Sequence, residues 1–101
     1  MKGTSLHDSM MAGNLETISE GIYSTSNLGR VLAIGACVKN NVTDTYIIDG
    51  IKDLKKVDEF EFCINVGCMA TAALDVLHIE KYTGNDRRIL DLIESKFSFV
   101  R

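Results

Sequence analysis

Gly67-Cys68 joins two unlike runs. "EFEFCINVG" before it alternates like a strand, and "MATAALDVLHIEKY" after it is rich in Ala and Leu like a helix. A thiol is therefore expected where a strand turns into a helix. Backbone N–H groups without helical partners and the positive end of the helix dipole would surround its sulfur. Such surroundings lower a thiol pKa and make a nucleophile, and Cys63, five residues earlier, could resolve a disulfide with it. What is missing is a base. His78 lies ten residues along the same helix, about 15 Å away at the helical rise, whereas a nucleophile and its base meet within about 3 Å. Cys68 and His78 of one chain thus make no dyad. The opposing expectation is a small buried residue in a tight corner, the usual role of an unpaired Cys.

The long helix also carries a polar stripe. Thr71, Asp75, His78 and Tyr82 are spaced four, three and four, so they share one face. Met69, Ala72, Ala73, Val76 and Leu77 fill the opposite face. Asp75 is placed to hold one imidazole tautomer of His78. The stripe is expected to bind a ligand or handle a proton, to form a subunit contact suited to Tyr and His, or simply to face water. In "TGNDRR", Arg87 and Arg88 follow Gly84 and Asp86. A helix beginning there offers an anion a docking point. The plainer expectation is a Gly84 cap, an Asp86 N-cap and two solvated arginines.

Several chemistries find no pattern. Cys63 and Cys68 have spacing for half a zinc site, but Cys37, His7 and His78 are scattered and supply no second pair. No Walker loop, G-x-G-x-x-G, H-E-x-x-H or Ser–His–Asp order occurs, so neither metal nor cofactor is expected. The net charge is −3 and the pI about 5.2. Positive charge clusters only as pairs, Lys55-Lys56 and Arg87-Arg88. Nucleic-acid binding needs several phosphates neutralised together, so that partner is not expected. The longest apolar run, "VLAIGACV", is far short of the ~20 residues that span a bilayer. Three cysteines in odd number point to reduced thiols and a cytoplasmic setting.

The elements that must position these residues read as follows. The 101 residues, 46% hydrophobic and 25% charged, form one domain, 1–101, with a thin core. Residues 5–23 carry a helical apolar stripe. Gly13 within it costs ~1 kcal/mol relative to Ala, or splits the helix, or admits another backbone. In "RVLAIGACVKN", residues 30–40, both alternating sets are apolar, which predicts a strand covered on both faces. "KNNVTD" reads as a hairpin turn, "TYIIDGIKDL" as the return strand, and residues 59–67 as a third strand with Phe60, Phe62, Ile64 and Val66 inward. Helices follow over 69–82 and 87–96, and the alternation in "FSFVR" leaves room for a short terminal strand. No internal repeat stands out.

The fold expected is therefore α+β: a three-stranded antiparallel meander with one N-terminal and two C-terminal helices packed on it. A small chain with a two-faced apolar strand is expected to assemble with copies of itself. The function expected is that of a non-enzymatic regulatory or adaptor protein binding a protein partner or small ligand. The alternatives are an oligomeric enzyme with a composite site between subunits, in which Cys68, Asp75, His78 and Tyr82 meet His7 or Arg88 of the next chain, and a thiol redox sensor.

Overall fold

The computed structural model describes residues 12–61, 64–82 and 89. Among them are four helices and one two-stranded antiparallel hairpin, so the chain is a small mixed helix-and-sheet protein. The three-stranded meander does not form. The helices are α1 (Leu15–Ile22), α2 (Asn27–Asn40), α3 (Thr45–Leu54) and α4 (Val66–Val76); β1 (Phe60–Glu61) and β2 (Ile64–Asn65) lie between the last two.

Helix α2 corrects the principal sequence expectation. The segment 30–40 is a helix, not a strand. If both alternating sets are apolar, then every helical face is apolar too, and length decides between them. Ser26 starts the helix, its Oγ accepting from the Gly29 N–H at 3.2 Å. Asn41 ends it in the left-handed conformation, φ 52°. The Val42 N–H then bonds the Cys37 carbonyl at 2.9 Å, and the Asn41 N–H that of Val38 at 3.3 Å, the Schellman arrangement. A helix apolar all round belongs in the centre, and every residue from Ala33 to Val38 is buried. Its cover comes from the chain itself, since α2 packs against both α1 and α4.

The expected return strand is helix α3. Asp44 caps it, accepting from the Tyr46 and Ile47 N–H groups at 3.0 and 3.4 Å. Ile47, Ile48, Ile51 and Leu54 recur at helical intervals and are buried. The turn expected at 39–44 is thus a helix end followed by a helix start. Gly13, at φ +93°, precedes α1, which Asn14 caps through Thr17. The third expected strand is instead the β1–β2 hairpin, pairing Phe60 with Asn65 and Glu61 with Ile64. Phe60 consequently points outward, 61% exposed, and Val66 is already helical. The helix expected over 69–82 begins three residues earlier and stops at Val76.

A repetition links these elements. α4 ends as α2 does: His78 is left-handed at φ 65°, the Ile79 N–H bonds the Leu74 carbonyl at 2.8 Å, and the His78 N–H bonds that of Asp75 at 2.9 Å. Aligned on Asn41 and His78, Ala33 matches Ala70, Ala36 matches Ala73 and Cys37 matches Leu74, all fully buried. The intervening helices share a pattern as well. "ISEGI" in α1 and "IIDGI" in α3 have a sequence counterpart in "ILDLI" from Ile89, itself helical and buried. The similarity is too short to stand out in the sequence alone. The last expected helix beyond Ile89, the terminal strand and residues 1–11 lie outside the described residues.

Candidate functional site

The Gly67–Cys68 corner is built by close backbone approach. A Cβ on Gly67 would lie 2.6 Å from the Lys55 carbonyl oxygen and 2.7 Å from that of Val57. Glycine lets the start of α4 press onto the segment leaving α3. The first N–H groups of α4 are all engaged there. Val66 N–H donates to the Glu59 carbonyl at 2.8 Å, Gly67 N–H to that of Val57 at 3.0 Å, and Cys68 N–H to Asn65 Oδ1 at 2.9 Å. Asn65 is in turn held by its Nδ2 donating to Asp58 Oδ1 at 2.9 Å. These donors therefore serve the fold. Cys68 is a half-buried free thiol beside an open hollow of about 270 Å³, with Lys55, Asp58 and Thr71 among its walls. Cys63 lies outside the described residues. Cys37, the other described thiol, is fully buried, and burial pushes its pKa up to about 12.

The helix expected to carry the polar stripe ends at Val76, so the four residues do not follow one helical face. Thr71 Oγ1 donates to the Gly67 carbonyl at 2.9 Å, one turn back. His78 and Tyr82 lie beyond the end of α4, and His78 is exposed. Asp75 meets a different partner from the one expected: its Oδ2 accepts the Tyr82 backbone N–H at 2.7 Å. The carboxylate thus ties down the segment that follows the helix. Asp75 and His78 share a second open hollow, about 320 Å³, with Ile79, Glu80 and Lys81. Arg87 and Arg88 lie outside the described residues.

Two clusters escaped the sequence reading because their members are far apart in the chain. Glu80 receives Lys55 Nζ at 2.7 Å and lies 3.9 Å from Lys52 Nζ. The Lys55 hydrogen bond holds the Glu80 carboxyl below its ordinary pKa. At the start of α2, Arg30 donates through Nε to the Ser24 carbonyl at 3.0 Å and through Nη1 to Asn27 Oδ1 at 2.7 Å. Glu59 closes this cluster, 3.8 Å from Arg30 Nη1 and accepting from Asn27 Nδ2 at 2.8 Å. The cap at Asn65 had a legible signal, an Asn three residues before Cys68 at a helix start.

Among the described residues, no group of three His, Cys, Asp or Glu is placed to hold a metal ion, and no helix is long and apolar enough to cross a membrane. No protein-family model, curated protein or solved structure matches the chain.

Proposed function

We propose that this chain is a small protein-binding domain of regulatory or adaptor type that acts by surface contact. The observation that carries the proposal is the set of large apolar side chains left outside. Leu15, Tyr23, Leu28, Tyr46 and Phe60 are all exposed, apart from the buried cluster. Exposed Tyr and Phe are characteristic of contact surfaces. The division of labour among polar groups supports the same reading. Asn65, Asp75, Thr71, Glu80 and Arg30 each hold one part of the backbone or one element to another.

The apolar residues of α2 are covered by α1 and α4 of the same chain. A protein partner, a second copy included, meets the exposed side chains instead. Placing a photo-crosslinking amino acid at Leu28 or Phe60, in the cell that makes the protein, tests the proposal. A discrete adduct from these positions, absent when Lys56 or Lys81 is replaced, is the expected result. Absence of adducts at both apolar positions in a folded protein would overturn the reading.

A further inference from the structure

One exposed aromatic pair is built more rigidly than a chance surface contact. The Tyr23 ring lies across α3 at Gly50, where an added Cβ would meet Tyr23 Cζ at 2.8 Å and Ile22 Cγ2 at 2.5 Å. Its hydroxyl donates to the Tyr46 carbonyl at 2.8 Å. The Tyr46 ring stacks on it, with centroids 4.7 Å apart and planes at 26°. Tyr46 nevertheless remains 61% exposed and Tyr23 46%. Tyr46, Asp49 and Asp53, spaced three and four along α3, share one face, and all three are exposed. The Tyr23 pKa is raised, first by desolvation and then by the charges of Tyr46, Asp49 and Asp53.

Resting on the reading of the chain as a protein-binding domain, we propose that the Tyr23–Tyr46 pair with Asp49 and Asp53 docks an arginine-bearing segment of a partner protein. A guanidinium is planar, stacks on an aromatic face and pairs with a carboxylate, so one Arg side chain satisfies both features of this surface. A lysine ammonium is also attracted to a ring face and a carboxylate, but it lacks the planar stacking and the paired N–H fork. The platform is already ordered by Gly50 and the Tyr23 hydrogen bond, so little side-chain freedom is lost on binding. The net charge of −3 favours approach of a cation.

The test is an NMR titration of the whole chain with a capped peptide of alternating Ser and Arg, using the citrulline peptide as control. The Arg peptide is expected to shift resonances around Tyr23, Tyr46, Asp49 and Asp53, and the citrulline peptide is not. Tyr46→Ala should weaken binding about fivefold, and Tyr46→Phe should retain it. The double change Asp49→Asn with Asp53→Asn should weaken it and flatten its salt dependence. Circular dichroism establishes that each variant is folded; the Tyr46 carbonyl that receives Tyr23 persists in all of them. Equal shifts with the citrulline peptide, or unchanged affinity in Tyr46→Ala, would overturn the proposal. So would a change in the chain's own association state on Tyr46→Ala, which would make a second copy the occupant. If the peptide fails while the adducts at Leu28 or Phe60 persist, only this docking site is lost; if both fail, the protein-binding reading falls with it.

Discussion

His78 holds a backbone conformation that glycine normally takes. Its left-handed φ of 65° closes α4, and its side chain is exposed. A left-handed non-glycine residue costs about 1 kcal/mol, so His78→Gly should raise the unfolding free energy by about that amount in urea titrations. A loss of stability would mean that the imidazole makes a contact the fold depends on. Glu80 gives a second residue-scale expectation. Lys55 depresses its folded pKa, so the pair stabilises the fold above the ordinary carboxylate range, and this contribution is lost as pH falls through the folded value. Glu80→Gln should therefore melt lower than the parent at neutral pH, with the gap closing in acid and narrowing in salt; a gap independent of pH would contradict the ion-pair account. At this scale the sequence placed Cys68 in the first turn of a helix. It hid which groups would consume the helix N–H donors, because Glu59 and Val57 act through their backbone carbonyls, which carry no side-chain signature.

The elements were legible where apolar spacing had a single interpretation. The helix after Cys68 was placed to within a few residues at its start, and its early end at Val76 came from a left-handed residue that the composition of the segment does not announce. Residues 30–40 were ambiguous in kind. A run apolar on every side satisfies strand and helix periods together, and only Ser26 and Asn41 as caps, with the length of the run, favour the helix. In residues 45–54 the buried set Ile47, Ile48, Ile51 and Leu54 is helical in spacing, and Asp44 is a cap rather than a hairpin residue. The junction before α4 makes an element-scale prediction. Gly67→Ala would drive a methyl against the carbonyls of Lys55 and Val57, backbone that cannot swing aside. It should cost about 2–3 kcal/mol in chemical denaturation; a neutral outcome would show that the corner has room to open.

Among the described residues, α2 packs against α1 and α4, α3 packs against α4 and α1, and the hairpin lies between α3 and α4 in the chain. The matching helix ends at Asn41 and His78 could not be aligned before the helices were known. The apolar run from Val31 to Val38 is spent on the interior, so the proposed partner contact rests on the exposed aromatic and aliphatic side chains alone. Backbone hydrogen exchange of Val31–Val38, followed across a wide dilution series, tests this most directly. If α1 and α4 of the same chain cover the helix, protection of these amides stays constant however dilute the protein becomes. Protection that fades on dilution would mean that another copy supplies the cover, and the account of a self-contained core would be wrong.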